Sequence, residues 1–279
     1  MPGSRLILCR PRSLPAERRI EAARVAMGIN PANAPDLGRL MLMRPGFRPT
    51  PRRIAVVTNK HWGKGGVRLT VGFMDGGSKE LRARILLHLN AWSKSANVKF
   101  VASQVEPDVR IARVDSPPED AGYWSHLGTD IRGVARDQPT MNLEGFTMRS
   151  LESEFRRVVR HEAGHTLGFD HEHLRRELVA KIDPAKAIAY FAETDEWTAA
   201  DTREQVLTPL EERSIRGTRI DPLSIMCYDI PAEITFDNTA IVGGVDINKS
   251  DYAFAAKLYP KPSRKAPKTR PRTKSSLKR

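Results

Sequence analysis

The chain has 279 residues, 40% of them hydrophobic and 28% charged, with a formal net charge of +13. That length supports one sizeable core and a second small one; no apolar stretch approaches the length of a membrane span. Two cysteines far apart, Cys9 and Cys227, do not make a disulfide framework. The positive charge sits at the ends: residues 1–60 hold 12 Lys/Arg against 3 Asp/Glu and residues 261–279 hold 9 against none, leaving 25 against 30 between them.

Residues 1–53 are rich in Arg and Pro, with one weak helical pattern over Pro15–Met27. They read as a poorly packed basic leader, residues 1–60. The longest apolar run there, Leu6–Cys9, is too short for a signal-peptide core, so the expected location is cytoplasmic or reached by another export route.

Val67–Phe73 alternates with the period of a half-buried strand. Ser78 then caps a helix whose buried stripe is Leu81, Ile85, Leu89, Trp92 and Ala96, with His88 a bystander on it. Val98–Val101 and Val109–Arg113 are two more strands, the second a candidate edge that an extended peptide could join. Tyr123, Trp124 and Leu127 either line the cleft or fill core, the commoner place for aromatics in such a segment, and are not assigned as substrate contacts.

A helix starting near Ser150, with Leu151, Phe155, Val158, Val159 and Leu167 as its buried stripe, carries His161-Glu162-Ala163-Gly164-His165-Thr166-Leu167-Gly168-Phe169-Asp170-His171. Residues four apart on a helix differ by a net rotation of about 40°, so His161 and His165 can bind one metal ion. Glu162 lies about 100° round the helix, placed to act as a general base without being a ligand. Gly168 ends the helix in the left-handed conformation and lets His171 return as third ligand. Three ligands and one open position make a catalytic zinc site rather than a closed structural one. A fourth protein ligand would have to be His173, the nearby spare, which is expected to face solvent.

The pattern H-E-x-x-H-x-x-G-x-x-H resembles the metzincin metalloproteases, and Ser224-Ile225-Met226-Cys227-Tyr228 resembles their methionine turn. Glu172 after the third histidine and Tyr228 two places after the turn methionine resemble the astacin family and its bacterial relatives. Gly122–Asp130 and Thr140-Met141-Asn142 are similar to the segment before the zinc helix in bacterial astacin-like and matrixin-like peptidases. The resemblance covers residues 61–260. It departs in Cys227, where astacins usually carry histidine, and in lacking the family's paired cysteines.

The resemblance implies an α+β, metzincin-type fold: a twisted, mostly parallel sheet with the active-site helix in an N-terminal lobe, and a smaller, helical or irregular C-terminal lobe. It implies one catalytic Zn2+ on His161, His165 and His171, Glu162 as general base, Tyr228 as oxyanion stabiliser, and Met226 as an apolar floor. Glu172 in astacins meets the mature N-terminal ammonium. Astacin prosegments block zinc with aspartate and matrixin prosegments with cysteine, so Asp36 and Cys9 are the nominal candidates in the leader; neither sits in a family motif, and a solvated arm is the expectation.

After His171, short helical pieces over Pro184–Glu193 and Thr198–Leu207 flank Trp197, and a closing helix over residues 251–259 follows Asn248 or Ser250 as cap and ends at Pro260. Residues 261–279 form a disordered basic tail suited to anionic surfaces; specific nucleic-acid recognition is not expected, because no reading module accompanies the charge. The expected activity is that of a monomeric zinc endopeptidase on protein or peptide substrates. The alternative is a catalytically silent, zinc-stabilised binding protein held to anionic partners by its ends.

Overall fold

The computed structural model describes residues 9–43, 46–114, 121–194, 197–209 and 219–262. The basic tail beyond residue 262 lies outside them.

The alternation in β2 (Val67–Phe73) buries Val67, Leu69 and Val71 on one face. β2 lies between β3 (Val98–Ala102) and β4 (Val109–Ala112), parallel to both. β4 pairs in parallel with β6 (Met141–Leu143), which pairs antiparallel with β5 (Tyr123–His126). The Val109–Arg113 strand is therefore interior, not the expected edge: β6 takes its second row of backbone groups.

β1 (Cys9–Arg12) pairs in parallel with β5, giving the order β1-β5-β6-β4-β2-β3 in one mostly parallel sheet. This corrects the reading of a solvated arm. Next to it Leu14 is 2% exposed, and helix α1 (Arg19–Ile29) buries Ala22, Ala23 and Ala26. Small side chains let α1 lie close to the turn at Gly128–Gly133, so it packs without the large apolar stripe that a pattern search weighs.

The leader continues through α2 (Leu37–Met43) and α3 (Pro51–Val57) and is also clipped by polar groups. Asn33 is fully buried; its Nδ2 donates to the carbonyls of His61 (2.8 Å) and Ala26 (2.9 Å), and its Oδ1 accepts from the His61 N–H at 3.1 Å. The Asn33 amide thus pairs with His61 as a strand residue would.

On the sheet packs α4 (Lys79–Leu89), capped by Ser78 and burying Leu81, Ile85 and Leu89. Trp92 beyond its end donates from Nε1 to the Arg160 carbonyl at 2.8 Å, and its ring meets Phe169 edge-on at 5.1 Å. His88 is buried on α4, where Arg160 Nε donates to its Nδ1 at 3.2 Å.

The helix under the sheet runs as α5 (Glu152–Glu154), a wider π-helical stretch at Phe155–Val159, and α6 (Arg160–Thr166). Phe155, Val158, Val159 and Ala163 are buried on it, joining the main core; Leu151, counted in the stripe from sequence, is exposed. A smaller second core gathers Leu178, Ile182, Phe191, Trp197, Val206 and Ile230 around α7 (Arg176–Val179), α8 (Pro184–Thr194) and α9 (Ala199–Thr202). The chain closes with α10 (Lys249–Leu258), capped by Asn248 in a capping box with Asp251.

Candidate metal centre

α6 presents His161 and His165 one turn apart, and both side chains are buried. The helix stops at Gly168, whose φ of +90° is left-handed. The Gly168 N–H bonds the His165 carbonyl at 2.8 Å and the Phe169 N–H bonds the Gly164 carbonyl at 3.0 Å, a glycine cap that turns the chain back over the helix end. His171 then meets its partners: its Nε2 lies 3.1 Å from His161 Nε2 and 2.9 Å from His165 Nε2.

The far nitrogens fix the tautomers. His161 Nδ1 faces the Ile225 carbonyl at 2.6 Å and His165 Nδ1 faces the Phe169 carbonyl at 2.8 Å. A carbonyl only accepts, so each Nδ1 carries the proton and each Nε2 is left with its lone pair toward the others. Burial holds His161 down to about 4; burial and the neighbouring imidazoles hold His165 and His171 well below the usual range. All three are neutral at pH 7, the form that binds metal.

A fourth donor is Cys9, one of the two nominal zinc-blocking residues of the leader, which the expectation of a solvated arm had set aside. Its Sγ and one nitrogen of each of the three histidines lie within 4.8 Å of one another, all four residues buried. Three nitrogens and one sulfur suit zinc. The two nitrogen separations to His171, 3.1 and 2.9 Å, fall within about half an ångström of the roughly 3.4 Å edge of a zinc tetrahedron with bonds of about 2.0–2.1 Å. The residues fit the ion.

Glu162 is fully buried with neither carboxylate oxygen hydrogen-bonded, and burial raises its carboxyl to about 8 against the opposing pull of the nearby Cys9 and Arg157. Burial, then the nearby carboxylate, raises the Cys9 thiol well above its ordinary value. The leader thus places one side chain against both the ligand cluster and the carboxylate beside it.

Beneath the cluster lies Met226, 4% exposed. Gly164 makes room for it: a Cβ at that position would stand 2.5 Å from Met226 Sδ. Tyr228 packs its ring 4.2 Å from His171 and stacks on His173 at 4.1 Å. His173, expected in solvent, is fully buried, with Nε2 at 2.9 Å from the Gln205 carbonyl; that bond and the stacking hold it as a wall of the site.

Neither a protein-family profile nor a curated protein matches this sequence. Solved structures do. One of myroilysin has 28% identity over 73% of this chain and 97% of its own, with a TM-score of 0.67. A second of myroilysin, also at 28% identity, covers 72% of this chain and 86% of its own with a TM-score of 0.55. The chain has the fold and the histidine cluster of an astacin-like metzincin. No helix among the described residues is long and apolar enough to cross a membrane.

The supports of the site come from distant segments. Asp251, 7% exposed on α10, accepts from Ser224 Oγ at 2.5 Å and from the backbone N–H of Ile225 and Asn248 at 3.0 Å each. It holds the turn whose Ile225 carbonyl orients His161. Glu172, whose N–H bonds the Met226 carbonyl at 2.8 Å, pairs its carboxylate with Arg175 Nε at 2.6 Å and the Asp221 N–H at 3.0 Å. A cation within the chain therefore occupies the carboxylate that astacins use for their N-terminus. Asp36, the other nominal blocking residue, instead accepts from the Arg39 N–H at 3.0 Å. Sequence spacing signalled neither Asp251 nor Arg175; the one signal that could have found the first is its place three residues after the cap Asn248.

Proposed function

We propose that the chain is a zinc-dependent endopeptidase, held latent by its own leader, that hydrolyses peptide bonds in protein substrates. The observation that carries this reading is a buried carboxylate, Glu162, beside three converging neutral imidazoles. A structural zinc site has no use for a buried acid next to its ligands. The silent binding protein of the sequence reading gains one point, a fourth ligand in Cys9; it leaves Glu162 unexplained.

His161, His165 and His171 would hold the ion, which supplies polarisation of the scissile carbonyl and acidification of a water. Glu162 takes a proton from the attacking water as the new C–O bond forms, then delivers it to the amide nitrogen as the C–N bond breaks, leaving a carboxylic acid and an amine. Tyr228, packed against His171, offers a phenol to the oxyanion. Met226 keeps the floor beneath the imidazoles flat and apolar.

β1 accounts for latency. It takes the free side of β5, where an extended substrate would add as a strand, and carries Cys9 to the fourth ligand position. Leaving of β1 must therefore precede turnover. The test is cleavage of an unfolded protein by the zinc-loaded chain after limited proteolysis between Asn33 and Asn59, with Glu162→Ala beside it. The expected result is cleavage by the wild type only, both forms retaining zinc. A wild type that stays silent once its leader is gone overturns the reading.

A further inference from the structure

Trp124 and His126 project from the same side of β5, while Ser125 between them turns toward the zinc helix and meets Thr166 Oγ1 at 3.0 Å. The two rings stand edge to face at 5.9 Å and are 2% and 6% exposed. What covers them is the leader: Arg12 is in register with His126, and its guanidinium lies 4.3 Å from the Trp124 ring centroid. Trp124 thus presents a flat π face along the rim of the cleft, already occupied by a cation.

We propose that Trp124, walled by His126, is a subsite that selects an arginine or lysine side chain of an extended polypeptide bound along β5. This rests on the reading of β5 as the substrate edge. An extended chain places every second side chain on one side whichever way it runs, so a substrate on this edge presents a residue to the same shelf that Arg12 covers. A guanidinium gains from the ring quadrupole, and more as water is excluded; an uncharged side chain of the same shape gains only area. Arg110, the cation on β4 beyond β6, does not spoil the site: its Nε and Nη2 donate to the carbonyls of Gln138 (2.7 Å) and Ala135 (3.1 Å).

Two measurements separate this inference from the peptidase reading. In the intact chain, with no turnover required, the rate of Cys9 alkylation by iodoacetamide reports how firmly β1 is held. Arg12→Gln should raise that rate about tenfold and Arg12→Lys should leave it near wild type; Trp124→Phe should change it little and Trp124→Leu about tenfold, on the scale of a desolvated cation–π contact. Equal rates for Arg12→Gln and Arg12→Lys overturn the proposal even if no peptide is ever cleaved. In the chain activated by limited proteolysis, extended peptides carrying arginine or its uncharged isostere citrulline at one varied position should differ by about tenfold in kcat/KM at a single register, and Trp124→Leu should reduce that ratio to about two. Arginine and citrulline cleaved alike, or a ratio that survives Trp124→Leu, refutes the subsite while leaving the peptidase reading intact.

Discussion

Asp251→Ala tests whether an acid remote in sequence governs the metal centre. The substitution removes an acceptor from Ser224 Oγ and from the N–H groups of Ile225 and Asn248. A buried donor left without its acceptor costs about 1–3 kcal/mol. Part of that is offset, because burial raises the Asp251 pKa and so disfavours the charged form in the folded protein. The expected net loss is about 3 kcal/mol, a fall in unfolding midpoint of about 6–12 °C for a domain of this size. The site should respond as well: Ile225 carries the carbonyl that orients His161, and loss of such an orienting contact weakens metal binding about 10–100-fold. Thermal unfolding and zinc competition with a chelator measure the two effects. A midpoint lowered as expected with zinc affinity within twofold of wild type would refute the relay from α10 to His161; an unchanged midpoint would refute the anchor itself.

Gly168→Ala forces a left-handed φ on a residue with a Cβ and sets that Cβ 2.9 Å from the Lys60 carbonyl oxygen; the expected loss is about 2–4 kcal/mol with weakened zinc binding, read by unfolding and chelator competition. Acid should loosen the leader. Burial, then the charge of Arg12, holds His126 down to about 4, so the covered imidazole stays neutral while an uncovered one protonates below about 6.5. The contribution to leader closure is intact above 6.5 and is lost as pH falls toward 4, about 2 kcal/mol at pH 5. Amide exchange protection in β1, corrected for intrinsic rates, should drop about twentyfold between pH 7 and pH 5; equal protection at both would show that His126 stays covered when β1 opens.

The histidine cluster was legible because its information is local. The spacing of His161 and His165 on a helix and the glycine turn before His171 place three ligands within eleven residues. Strand existence was legible for the same reason, in the alternation of Val67–Phe73. Strand position was not: whether Val109–Arg113 lies at an edge depends on where β6 pairs, a contact between distant segments that no pattern within the strand encodes. The leader was misread because its packing uses alanines and the Asn33 amide rather than a large apolar stripe. His173 was placed in solvent because the segment around it is charged, while its ring is buried by Tyr228 and Gln205.

The Asn33 clip makes cutting the chain and freeing the site two different events. Its bonds to His61, with Asn30 Nδ2 donating to the Trp62 carbonyl at 3.2 Å and the packing of the buried face of α1, all reach across any break between Asn33 and Asn59. Such a break leaves every one of these contacts in place and changes only their molecularity. Before it, the leader competes for the cleft at the millimolar effective concentration of a tethered segment. Afterwards it competes at its bulk concentration, so activation becomes sensitive to dilution: a concentrated, fully nicked sample remains inhibited by its own severed peptide, and the same sample diluted wakes at the rate at which that peptide dissociates.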